Sequence, residues 1–342
     1  MSALHRILQV SLKACEYIQP LVLQLYKSQS NISSLKKDNS ILTLADGIVQ
    51  SLILDVLFKD KFAHKIGEEY DSLVNLHTLP YSVNDILISS EFNPLIETTK
   101  LNIESLSSIV STSDCANYTL FLDPIDGTRE FSSGCGEQST ICLGFSEASS
   151  GLSKAGIIYR PIPSPPTYAM GIPSEAFSQN NLDILEPPVD GFLTTNGAIS
   201  PYLESLRSEL QLPRIKAGGA GNKFLLLLEG RASCYIQDRG VSRWDTCGGQ
   251  AVLEAHNGIF YQLSPLVTRN ELVAYSYFPT TTNLDLATFN EADISNAGSA
   301  SIPPYSNLCG LFALRGSEIH KLDAIYRTAV QRAALIVSPK YL

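Results

Sequence analysis

Tyr118-Thr-Leu-Phe-Leu-Asp123-Pro-Ile-Asp126-Gly-Thr128 is the stretch on which the reading of this chain turns. The apolar run from Tyr118 to Leu122 reads as a buried strand, which places Asp123 and Asp126 at its end. A hard cation such as Mg²⁺ takes carboxylate and carbonyl oxygens, and here Asp123, Asp126 and the Ile125 carbonyl fall within one turn. Gly127 and Thr128 then leave backbone N–H groups at the start of the next segment, where an anion such as phosphate is favoured. Two carboxylates ending a strand serve equally well as a structural turn, so the rest of the chain must decide.

Working outward, Ser139 to Phe145 and Ala155 to Tyr159 are further short β runs, and a sheet with helices on one side is the packing they suggest. Pro161 to Pro166 and Pro187-Pro188 break regular structure. A boundary therefore belongs near 161 to 190, dividing the chain into halves 1–175 and 176–342. Upstream, Ile7, Leu8, Leu12, Cys15, Ile18, Leu21, Val22 and Leu25 form one face of an amphipathic helix, interrupted by Arg6, Lys13 and Glu16 as no membrane span or signal peptide would be. Thr43 to Asp46 has capping-box spacing, with a helix to follow whose apolar face is Ile48, Leu52, Ile53, Val56 and Leu57. Residues 70 to 117 suggest a helix near 100 to 110 within a lid-like insertion, to which no chemistry is assigned. In the second half Phe224 to Leu228 is a buried run, Ser233 to Ile236 a strand, and Asp245 to His256 a helix stopped by Gly258. The region 279 to 304 reads as a polar loop, and Ser317 to Val337 as a last amphipathic helix capped by Ser317.

Composition narrows the function classes. A chain of 342 residues with 44% apolar content can bury a full core, and its formal charge of −9 argues against a nucleic-acid polymer, which needs a basic face. Small anionic substrates stay open. Seven Cys, an odd number with no C-x-x-C pair and no zinc-type spacing with the five His, fit reduced thiols in a cytoplasmic protein. Cys309 and Arg315 have the spacing of a cysteine phosphatase, but Leu311 to Leu314 reads as a core strand. Asp123-x-x-Asp126 also has one residue more than the Asp-x-Asp of aspartyl-phosphate enzymes, which changes the side chains that share a face.

Lys36 to Asp46, Ile66-Gly67-Glu68-Glu69, Asp123 to Thr128, Gly218 to Lys223 and Trp244-Asp245-Thr-Cys247 occur in this order. Together they resemble the lithium-sensitive, Mg²⁺-dependent phosphatases of the inositol monophosphatase superfamily, and within it the 3′(2′),5′-bisphosphate nucleotidases. The resemblance implies an α+β fold, the layered αβαβα sandwich of the inositol monophosphatase and fructose-1,6-bisphosphatase type, with the active site between the halves. It implies two or three Mg²⁺ ions. Glu68, Asp123 and the Ile125 carbonyl would hold one, Asp123, Asp126 and Asp245 a second, and Glu68 a looser third. Thr128 and Asp46 would be the proton path of the attacking water, with Glu69 in support. Gly127 and Thr128 would grip the scissile phosphate. Gly219, Ala220, Gly221 and Lys223 would lie near a second phosphate and the nucleoside, and Thr195 near the nucleotide.

The implied reaction is hydrolysis of the 3′-phosphate of adenosine 3′,5′-bisphosphate to AMP, with its sulfated precursor as a second substrate. Inositol polyphosphate 1-phosphatase activity is the alternative. Asn196 and Ala198 depart from the nucleotidase pattern, which more often has Arg and His there. An inactive metabolite sensor is a third reading, disfavoured because no implied metal ligand is missing.

Overall fold

The computed structural model describes residues 1–28, 34–35, 41–238, 241–280, 305–307 and 309–331. Lys36, the polar run to Ser40, most of the 279–304 loop and the end of the proposed last helix lie outside the described residues.

Strand β2 (Tyr118–Asp126) runs through the whole carboxylate motif, with a register shift between Asp123 and Asp126. It pairs in parallel with β1 (His64–Gly67) and antiparallel with β3 (Thr140–Glu147). Beyond β3 come β4 (Ser153–Arg160), β5 (Thr167–Ile172) and β6 (Phe177–Asn180), all antiparallel, completing a six-stranded sheet. This sheet ends at Asn180. The second sheet begins with β7 (Phe192–Thr195), flanked in parallel by β8 (Arg214–Ala217) and β9 (Cys234–Gln237). Strands β11 (Leu311–Leu314) and β10 (Ile259–Gln262) close it in antiparallel fashion.

Helices cover the first sheet on both faces, not on one. Leu120 and Leu122 of β2 and Ile141, Leu143 and Phe145 of β3 pack with α1 (Ala3–Ser28), α2 (Leu44–Ser51, continued by a π-helical turn Leu52–Leu57) and α3 (Asn93–Ser107). Phe121, Cys142 and Ile158 point the other way. There they meet the helix that holds Phe224 and Leu228 and the helix that holds Cys247 and Val252, whose opposite sides pack on Tyr235 and Ala313 of the second sheet. Phe192, Ile236 and Phe312 face a last helical layer. It comprises α5 (Pro201–Glu209), α8 (Leu263–Arg269) and α9 (Leu322–Gln331). Between these, the short α4 is Thr128–Ser132, α6 is Ala220–Leu228 and α7 is Arg243–Ala255. The order helix, sheet, helix, sheet, helix is the layered α+β sandwich. Strands buried on both faces carry apolar residues on both, so alternation cannot reveal which sides are covered.

Two further expectations change. The 70–117 region is no lid: Ile96, Thr99, Ile103 and Leu106 of α3 are buried, the apolar ones in the same core as α1, and three short strands over residues 74–87 precede it. Ser317 does not cap the last helix; it sits inside a 3₁₀ turn, Gly316–Lys321, that leads into α9. Leu311 to Leu314 is a buried strand as expected, and the Arg315 guanidinium is paired with Glu186 instead of facing a thiol loop.

Candidate active site

The register shift in β2 turns Asp123 and Asp126 inward, where Asp245 on the first turn of α7 meets them. One carboxylate oxygen from each lies within 4.8 Å of the other two. Asp123 is buried, and its Oδ1 receives no hydrogen bond among the described residues. Burial, then the charges of Glu68, Asp126 and Asp245, push the Asp123 carboxyl well above the usual range. Asp245 keeps part of its surface in solvent, yet burial of its carboxylate followed by Asp126 and Glu68 raises it to about 8. The Ser242 N–H donates to Asp245 Oδ2. Three acidic groups forced together, one with an orphaned buried oxygen, cost free energy in the absence of a counter-charge.

Asp126 is held differently. Its Oδ1 accepts the Ala220 N–H at 2.8 Å, and its Oδ2 accepts the Gly221 N–H at 2.6 Å and the Thr140 hydroxyl at 2.9 Å. Burial raises its pKa and Lys223 is the main opposing influence. The Ala220 and Gly221 amides, expected near a second phosphate, are therefore engaged by Asp126.

Glu68 stays outside the tight triad although its charge acts on both Asp123 and Asp245. Its N–H donates to the Leu122 carbonyl at 3.0 Å, alongside β2. Glu68 and Glu69 occupy a turn after β1, not an extended segment. Glu69 is buried, its N–H and carbonyl both bonded to the Gln50 side chain, at 3.1 and 2.8 Å.

Asp46 and Thr128 come together across 82 residues of sequence. The Thr128 hydroxyl lies 3.2 Å from Asp46 Oδ1 and 2.9 Å from the Ile125 carbonyl. Asp46 also accepts the Thr43 N–H at 2.8 Å, as capping-box spacing predicts. Gly127, at φ 87°, occupies the left-handed region that allows β2 to turn at once into α4.

Lys223 is buried on α6, its Nζ 5.5 Å from the Tyr235 ring centroid, and the carboxylates of Asp126, Asp245 and Glu130 counter the loss of basicity that burial imposes. Thr195 ends β7, and its carbonyl accepts from Arg214 at 2.9 Å. Next to it the Asn196 amide donates to Glu130 Oε1 at 3.0 Å. Sequence reading missed Thr140, Gln50 and Glu130, whose contacts link distant segments and leave no local spacing signal. Trp244 is buried against Tyr305, consistent with packing that seats Asp245.

Comparison with known proteins adds three findings. The family model described as the inositol monophosphatase family matches residues 3–277. The chain is 30% identical over 159 residues to 3′(2′),5′-bisphosphate nucleotidase 1 of Mus musculus, covering 42% of this chain and 49% of that one. It is 25% identical over 256 residues to the inositol polyphosphate 1-phosphatase of Homo sapiens, covering 63% and 61%. The chain thus spans about half the length of the nucleotidases it matches. Among solved structures, the suppressor protein suhB from Bartonella henselae superposes with a TM-score of 0.58 at 16% identity, covering 94% of this chain and 98% of that one. An IMPase/NADP phosphatase complexed with Mg²⁺ and phosphate gives 0.58 at 14% identity, covering 95% of each. At such identities the likeness is one of fold.

Proposed function

The chain belongs to the inositol monophosphatase family, and from that premise we propose that it is a Mg²⁺-dependent phosphomonoesterase acting on a small bisphosphorylated substrate. The observation that carries this reading is the Asp123, Asp126 and Asp245 triad with its orphaned Asp123 oxygen. An all-oxygen, acidic, partly closed donor set fits a hard divalent cation. Asp123, Asp126 and Asp245 would hold it, with Glu68 and the Ile125 carbonyl at hand for a second or third ion. Bound there, Mg²⁺ would neutralise phosphate charge and acidify a coordinated water.

The chain's own groups would do the rest. Thr128 Oγ1 holds a proton between Asp46 and the Ile125 carbonyl, a route by which Asp46 can draw a proton away from an attacking water. Glu69 braces the turn that carries Glu68 through its bonds to Gln50. Gly127 and Thr128 amides would orient the scissile phosphate. Lys223 offers the buried cation that a second anionic group needs, with Gly219, Ala220 and Thr195 shaping that end of the site.

The preferred substrate is adenosine 3′,5′-bisphosphate, cleaved to AMP, and the likeness to 3′(2′),5′-bisphosphate nucleotidases at about 30% identity supports it. Inositol 1,4-bisphosphate is the second reading, supported by the longer match to an inositol polyphosphate 1-phosphatase and by Asn196 and Ala198. A cytoplasmic setting suits the seven free thiols, and no described helix is long and apolar enough to cross a membrane. Phosphate release from the two bisphosphates, with and without Mg²⁺, tests the proposal. Mg²⁺-dependent release from the nucleotide is expected to be the faster. The absence of release from either would refute the phosphatase reading.

A further inference from the structure

Arg160, the last residue of β4, grips α6 near both of its ends. Its Nε donates to Asn222 Oδ1 at 2.9 Å, its Nη2 to the Asn222 carbonyl at 3.3 Å, and its Nη1 to the Glu229 carboxylate. Asn222 is the third residue of α6 and Glu229 caps its C-terminal end. The pair is almost closed to water, with side-chain exposures of 8% and 9%. Asn222 then passes the contact on, its Nδ2 donating to the Gly218 carbonyl at 3.0 Å. That carbonyl belongs to the turn leading into the Ala220 and Gly221 amides, which hold Asp126.

A buried ion pair is a poor source of net stability, because removing two charges from water offsets most of their attraction. The arrangement makes better sense as a rivet. Asp126 comes from β2 in the first half of the chain and Asp245 from α7 in the second, and α6 packs between the sheets. Any slide of α6 along the first sheet would move the amides that hold Asp126 and change its distance from Asp245. Asn222 and Glu229, on one helix, together take donors from three nitrogens of one planar guanidinium, a geometry that permits little slide.

We propose that Arg160 is a positioning residue for the carboxylate triad: by locking Asn222 and Glu229 it fixes α6 on the first sheet and so sets where Asp126 stands relative to Asp123 and Asp245. The inference rests on the metal-binding reading above. It makes Mg²⁺ affinity, more than stability, the quantity that Arg160 controls.

The test compares wild type, Arg160→Lys and the paired variant Arg160→Met/Glu229→Leu by calorimetric Mg²⁺ titration and by melting in EDTA. Lys keeps a charge beside Glu229 but lacks the fork that reaches Asn222, so it should melt close to wild type while binding Mg²⁺ about tenfold more weakly. The paired variant carries no buried charge, so it should melt no lower than wild type and show the same loss of affinity. It carries the measurement if the single variant folds poorly. Wild-type Mg²⁺ affinity in a folded paired variant overturns the inference, as does a lowered melting temperature without a change in affinity. If the wild-type chain itself binds no Mg²⁺, the metal reading falls and this role with it. If it binds Mg²⁺ but releases no phosphate from either bisphosphate, the functional reading falls alone and the affinity comparison stands.

Discussion

Asp126 Oδ2 accepts the Gly221 N–H at 2.6 Å, which ties the central carboxylate of β2 to the first turn of a helix 95 residues further along the chain. The bond does more than fold the protein. A carboxylate pinned by two amides and a hydroxyl cannot swing away from its acidic neighbours, so the crowding within the triad is built into the structure.

Gly221→Ala tests that tie directly. A Cβ there would stand 2.4 Å from both Cys142 Sγ and Thr140 Oγ1, so α6 must back away from β3. The expected cost is about 1–3 kcal/mol from overpacking alone. Urea unfolding should show it, together with weaker Mg²⁺ binding. A variant as stable as wild type would mean that the interface yields freely.

Asp123→Asn should separate function from stability. The amide removes a ligand and a negative charge, so Mg²⁺-dependent turnover should fall by more than the about 10–100-fold that losing a ligand's support costs. Without metal the same change relieves a buried carboxyl surrounded by Glu68, Asp126 and Asp245, and the melting temperature in EDTA should rise. Activity near wild type would remove Asp123 from the metal site.

Local chemistry explains what can be read from the chain directly. An apolar run followed by Asp123-Pro-Ile-Asp126-Gly is a strand and its exit, and the Thr43 to Asp46 spacing fixes a helix start, because both depend on neighbours in sequence. The second cover on the first sheet is not local. It depends on Gly248 of α7 meeting Gly144 and Gly156, where a Cβ on Gly156 would lie 2.3 Å from the Gly248 carbonyl oxygen, a pairing no single segment reveals. In the site, the type of each acidic residue is visible but its bonding is not. Engagement of the Ala220 and Gly221 amides by Asp126, and of Asn196 by Glu130, appears only when the halves are assembled.

Asp245 predicts an inverted pH response in the metal-free chain. Its pKa is raised from 3.8 to about 8, so between those values the folded state retains a proton that the unfolded state has released. Fewer protons bound on unfolding means that stability falls as pH rises across that window. Asp123 and Asp126 shift in the same direction and reinforce the trend. Melting in EDTA should therefore decline from pH 5 towards pH 8.5, while saturating Mg²⁺, which displaces the proton, should flatten or reverse the slope. Parallel profiles with and without Mg²⁺ would show that the cation does not bind at these carboxylates.

Lys223→Met keeps most of the buried volume on α6 while removing the cation that faces Asp126, Asp245 and Glu130. If the ammonium receives the second phosphate, KM for adenosine 3′,5′-bisphosphate should rise about tenfold, the equivalent of about 1.4 kcal/mol, whereas KM for a simple phosphomonoester should barely change. Loss of a ground-state contact leaves kcat for the monoester intact. Equal losses on both substrates would instead assign Lys223 to balancing the carboxylates. In that case Mg²⁺ affinity would change in the variant, because a cation removed from the triad's surroundings strengthens the attraction for another.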